Sequence, residues 1–141
     1  IKIYITLASI KDLSVGGSGS IVSEGKFTNL GDLNLSIGGS GDIKLKADAK
    51  DISCSIGGSG EIELSGTGDD LSISIGGSGD VEAFDLVVKN CSVSTSGSGD
   101  VNVNVSEKLS VSLVGSGDVS YKGDPKVSSS IVGSGEVEKA D

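Results

Sequence analysis

The stretch IGGSGDIKL, from Ile37 to Leu45, decides how the rest of the chain is read. On its own it allows three readings. A glycine-rich loop after a strand can cradle a phosphate, an acid after glycines can bind calcium, and a glycine loop can simply turn a corner. Near-copies follow: IGGSGEIEL from Ile56, IGGSGDVEA from Ile75, SGSGDVNV from Ser96, VGSGDVSY from Val114 and VGSGEVEK from Val132. Seven Gly-Ser-Gly triplets begin at Gly17, Gly39, Gly58, Gly77, Gly97, Gly115 and Gly133, in steps of 22, 19, 19, 20, 18 and 18 residues. A period near 20 is the mark of a solenoid.

Alignment on the triplet separates the chain into columns. Two residues before it stand Val15, Ile37, Ile56, Ile75, Thr95, Leu113 and Ile131. Four before it stand Leu13, Leu35, Cys54, Ile73, Val93, Val111 and Ser129, and six before it Lys11, Leu33, Ile52, Leu71, Cys91, Leu109 and Val127. The column three before is serine in every copy: Ser14, Ser36, Ser55, Ser74, Ser94, Ser112 and Ser130. This alternation has period two, the pattern of a strand with one buried face. After the triplet a second strand starts, with Ile21, Ile43, Ile62, Val81, Val101, Val119 and Val137 facing in. Leu45, Leu64, Ala83, Val103 and Tyr121 follow two residues later. Polar connections such as KADAKD (46–51) and SGTGDD (65–70) absorb most of the length variation.

One repeat has too little surface to bury, whereas stacked copies bury a continuous core. The expected fold is therefore all-β: a right-handed parallel β-helix of about seven rungs, built as a single domain over residues 1–141. An antiparallel sandwich is the competing fold, but hairpins would not require this copy-to-copy match. The triplet glycines are expected to supply positive φ at the corner, with a small serine stacking between them. The preceding glycine (Gly16, Gly38, Gly57, Gly76) becomes Ser96, Val114 and Val132 later, so that position tolerates a side chain.

The repeated GSGD followed by Ile or Val, the opening IKIYITLASIKDLSVGGSGSI and the late YKGDPKVSSSIVGSGEVEK resemble the head GIN domain family, also called putative auto-transporter adhesin. The family is found mainly in Bacteroides-type bacteria, and the resemblance covers essentially the whole chain. It implies a secreted or outer-membrane-associated β-helix with no catalytic residues to carry over. It also implies a further segment before the IKIYIT region. Ile1, Ile3, Ile5 and Leu7 alternate from the first residue. An end strand this apolar calls for a cap, a neighbouring domain or another subunit.

Composition narrows the function classes. The chain has 11 Lys+Arg, all lysine, against 20 Asp+Glu, a net charge of −9, and no His, Trp or Met. Nucleic-acid binding needs basic residues to release counterions, so this class is excluded. Mean hydropathy of +0.10 argues against disorder. No apolar run reaches the roughly 20 residues of a membrane-spanning helix.

Of the candidate sites, the acidic column after the triplet stands out: Ser20, Asp42, Glu61, Asp80, Asp100, Asp118 and Glu136. The calcium-binding β-roll repeat places its acid one position later than GGSGD does, so these residues are expected to cap local amides instead. A phosphate site would need the Walker lysine and a following helix, and neither is present. Catalysis would fall to ordinary carboxylates such as Asp69 and Asp70, which more often mark solvent. Cys54 and Cys91 lie two rungs apart, roughly 9.6 Å along the axis, beyond disulfide reach. They are expected to be free, buried thiols. Tyr4, Phe27, Phe84 and Tyr121 are too scattered for a sugar-stacking platform, and FDLVVKN (84–90) is a candidate third strand.

No catalytic, cofactor-binding or metal residues are assigned. The expected function is a non-enzymatic cell-surface adhesion or interaction module, exported, whose partner is a protein or polysaccharide. The alternatives are a glycan-binding module and a structural subunit that stacks end to end through uncapped rungs as a homo-oligomer.

Overall fold

A computed structural model describes residues 2–5 and 12–140. Among the described residues there is no helix, and the strands are β1 Lys2–Ile5, β2 Asp12–Val15, β3 Ser20–Ile37, β4 Asp42–Ile56, β5 Glu61–Ile75, β6 Asp80–Gly97, β7 Val101–Gly115, β8 Asp118–Lys122, β9 Lys126–Gly133 and β10 Glu136–Lys139. Strands β3 to β7 stack in chain order, with β1 and β2 on β3 at one end, β8 and β9 on β7 at the other, and β10 on β8. Every pairing is parallel. This is the parallel β-helix expected from the repeat. Its seven corners bound about six full turns.

The register reproduces the sequence columns. Leu33, Ile52, Leu71, Cys91, Leu109 and Val127 form one continuous stack. From Leu33 to Leu109 every member is buried, as are the parallel stacks from Val15 to Leu113 and from Ile21 to Val119. Ile1, Leu7 and Lys11, and the side chains of Tyr4, Leu13 and Phe27, lie outside the described residues. Thr95 replaces an aliphatic side chain in its column, and its buried hydroxyl has no hydrogen-bond partner.

Two expectations change. The polar connections are not loops. Lys46 to Ala49 pair with Ser65 to Gly68 in one unbroken register; residues 84–90 belong to β6, as expected of FDLVVKN. Polar residues can sit in strand here because the adjacent rungs satisfy both edges of the backbone while the side chains stay in water. The result is a third face, with Ala49, Leu86, Val88 and Val105 buried beneath it.

The second correction concerns the triplet. Gly17, Gly97, Gly115 and Gly133 do adopt positive φ, but Gly39, Gly58 and Gly77 do not, nor does the last glycine of any triplet. Those glycines are fixed by stacking instead. A Cβ on Gly60 would lie 2.5 Å from the Gly41 carbonyl oxygen and 2.6 Å from Ile37 Cγ2. The corners pack backbone on backbone, and only hydrogen fits between. The preceding position is open: around Gly38 a Cβ would meet nothing within 4 Å.

The last rung is exposed. Val127 and Ile131, in columns otherwise buried, are each 39% accessible, and Val132 beside them is 64%. Among the described residues β9 has a strand on one side only, β7.

Candidate interaction surface

The outward side of the face before each corner carries two ladders, not one. The first is the expected serine column, Ser14 through Ser130, stacked in register. The second lies two residues earlier: Asp12, Asn34, Ser53, Ser72, Ser92, Ser110 and Ser128. It was legible in the same alignment, two columns upstream, but its first two members disguise it. Parallel geometry sets the hydroxyls about 4.8 Å apart between rungs and about 6.6 Å apart along a strand. A shallow groove of about 450 Å³ runs between the ladders from Asn34 to Ser94, and one of about 220 Å³ continues it from Ser92 to Ser130. From Ser53 onward neither ladder holds a charge, so this is a neutral hydroxyl face on a chain of net charge −9. Asp12 at its start accepts a hydrogen bond from Asn34 Nδ2 at 2.8 Å.

Beyond the corner lies the acidic column, and its role differs along the axis. In the early corners a backbone carbonyl takes the amide: Asp42, Glu61 and Asp80 donate their N–H to Gly19, Gly41 and Gly60 at 3.0, 3.2 and 3.0 Å. In the late corners the carboxylate of the previous rung takes it. Asp80 Oδ1 accepts from the Asp100 amide at 3.1 Å, Asp100 Oδ1 from Asp118 at 3.3 Å, and Asp118 Oδ1 from Glu136 at 3.1 Å. The switch coincides with the loss of the extra glycine, where the strand runs on through Gly97, Gly115 and Gly133 at positive φ. Asp80, Asp100 and Asp118 therefore cap amides, one rung away and not within their own turn, whereas at the early corners a glycine carbonyl takes that role. Among the described residues no group of three or more His, Cys, Asp or Glu is arranged to hold a metal ion.

Glu61 sits among Asp42, Asp80, Glu63 and Glu82. Lost hydration, then these like charges, raises its carboxyl above the usual value. A second carboxylate stack, Asp32–Asp51–Asp70, runs seven residues before the triplet. Asp51, in the middle, is also raised, first by lost hydration and then by hydrogen bonds and charge shared with Asp32 and Asp70. The stack ends when Asn90 donates to Asp70 Oδ1 at 2.9 Å, and Lys108 and Lys126 follow in the same column. One column thus runs from negative to positive along the axis.

The remaining candidates are structural. Cys54 and Cys91 are buried and free, and burial pushes the Cys91 thiol up to about 12. Neither is a nucleophile at neutral pH. Asp69 faces Lys89 at 4.0 Å, both exposed. Lys122 Nζ lies 4.6 Å from the centre of the Phe84 ring and occupies its face. Tyr121 packs partly buried against the core.

These features define a parallel β-solenoid that presents regular, solvent-facing arrays. The chain belongs to the family described as putative auto-transporter adhesin, head GIN domain, which matches residues 1–125. Solved structures share the fold. A putative adhesin from Parabacteroides distasonis superposes with a TM-score of 0.84 at 30% identity, over 99% of this chain and 60% of its own. A putative adhesin from Bacteroides fragilis gives 0.87 at 26%, over 93% and 61%. A putative lipid binding protein from Parabacteroides distasonis gives 0.74 at 33%, over 94% and 62%. The chain thus spans about three-fifths of these proteins' length. No curated protein matches it.

Proposed function

We propose that this chain is an exported, non-enzymatic adhesion module of the cell surface, which docks a surface polymer or partner protein on its double serine face. Membership of an adhesin-named family and likeness to putative adhesins support the class. The single observation that carries the surface is the unbroken register of the two ladders from Ser53 to Ser130. A rigid array of hydroxyls, donor and acceptor at every point, suits an equally regular partner. Absence of His and of any thiol with a lowered pKa supports the non-enzymatic reading. The test is adhesion of domain-coated beads to intact bacterial and host-cell surfaces, with the double variant Ser72→Lys/Ser94→Lys as comparison. Wild-type beads should adhere and the variant should lose most adhesion. Equal adhesion by both would remove the serine face from the account.

A second reading rests on the exposed β9 rung. Its inward residues are self-complementary. An antiparallel pairing centred on Ser129 sets Val127 of one copy against Ile131 of the other, twice, with no like charges opposed.

A further inference from the structure

A groove lies on the third face, away from both serine ladders. It has a volume of about 680 Å³ and draws on five consecutive turns, from Gly31 to Ser106. Its floor is small and apolar, made by Ala49, Gly68 and Val88, which stack in register. Gly68 is confined: a Cβ there would lie 3.2 Å from both the Ala49 carbonyl and Val88 Cγ1. Small residues where other faces carry Ile or Leu leave the trough.

Two walls flank it. One is Asp48, Thr67 and Val87 in register. Asp48 Oδ1 accepts both the Thr67 amide, at 3.0 Å, and the Thr67 hydroxyl, at 2.9 Å, which ties two rungs together. Val87 is 45% exposed, an apolar patch facing water at the rim. The other wall is Lys50, Asp69 and Lys89, with Asp69 and Lys89 paired at 4.0 Å. Charge on this wall alternates positive, negative, positive.

We propose that this groove is a binding site for a neutral oligosaccharide laid along the solenoid axis. The walls decide the class. A polyanion would have to approach Asp48 and Asp69 on a chain already at −9. A polycation would meet Lys50 and Lys89. A lipid chain would strip water from charged walls with nothing to replace it. Sugar hydroxyls both donate and accept, so they satisfy lysine and carboxylate in turn, and the C–H face of a ring can cover Val87. Open troughs with an apolar floor and a few convergent polar groups are the ordinary form of small-ligand sites. The groove's length, four rung spacings of about 4.8 Å, suits a run of several sugar units. The inference holds whether or not the serine face is the adhesive one.

The test is amide chemical-shift mapping on the isotope-labelled chain, titrated with neutral gluco-, manno-, xylo- and chito-hexaoses and with hexagalacturonate as the charged counterpart. At least one neutral hexaose should shift the amides of Thr67, Gly68 and Val88, and hexagalacturonate should not. Val87→Asp and Lys89→Glu are both surface changes, and each should weaken that hexaose by about tenfold. Ser72→Lys/Ser94→Lys should leave its affinity unchanged even where it abolishes bead adhesion. Silence from all four neutral hexaoses, shifts confined to the serine face, or full affinity in the groove variants would each overturn the proposal.

Discussion

Glycine in this chain serves two distinct ends, and single substitutions separate them. Gly60 has an ordinary φ, yet it cannot carry a methyl group because the Gly41 carbonyl and the Ile37 side chain occupy the space. Gly60→Ala should lower stability by about 1–3 kcal/mol, the usual cost of overpacking. Gly38→Ala, one residue before its own triplet, meets open space at ordinary φ. It should be neutral or stabilising by roughly 0.4–1 kcal/mol through loss of unfolded-chain freedom. Urea denaturation of the two variants checks both signs, and equal losses would refute the stacking account. The sequence exposed the column of glycines but not their reason. Repetition reveals that a position is constrained. It cannot say whether torsion or a neighbouring carbonyl imposes the limit, because that carbonyl belongs to a residue about 19 positions away.

At the scale of strands, the stacked columns put like charges in register. Asp51 and Glu61 both have carboxyl pKa values raised in the folded chain, chiefly by lost hydration and then by neighbouring carboxylates. The folded state therefore binds these protons more tightly than the unfolded chain does, and their protonation favours folding. Stability should rise as pH falls from 7 towards 4.5, the ordinary glutamate value, and fall again as pH returns through the raised values. Asp124 works in the opposite sense. Its hydrogen bond and charge pairing with Lys139, at 2.6 Å, lower its pKa, so that exposed contact weakens on acidification. Asp51→Asn should raise the melting temperature at pH 7 and flatten the gain between pH 7 and 5. A melting temperature that drops steadily over that range would contradict this. The inward columns and the serine ladder were legible because period two repeats in every copy. Of the third face only the stretch 84–90 was legible, because the residues that face inward on its other turns, Ala49 and Gly68 among them, are too small to announce a buried side. Its groove escaped for the same reason. One wall, Lys50, Asp69 and Lys89, alternates charge, which in sequence looks like any solvated connection.

Among the described residues the strands stack turn on turn, each hydrogen-bonded to the turns before and after it, so the molecule is close to one-dimensional. Its described end at β9 leaves Val127 and Ile131 partly in water. If two copies close that edge as proposed, sedimentation should show a concentration-dependent dimer that Val127→Lys/Ile131→Lys, which sets like charges opposite each other twice, converts to monomer with little change in melting temperature. A wild-type chain that stays monomeric at high concentration would sink the pairing. A closed two-fold contact ends in a dimer, whereas an open head-to-tail contact would grow fibres.

The carboxylate ladder at the late corners has its own consequence. Asp80, Asp100 and Asp118 each tie their rung to the one that follows, through bonds that no residue makes within its own turn. Under tension along the axis these links share the load between adjacent rungs in parallel with the backbone ladder, so each turn at this end comes away as a unit, one at a time. A tether built this way yields in small steps and re-forms from the turn that remains.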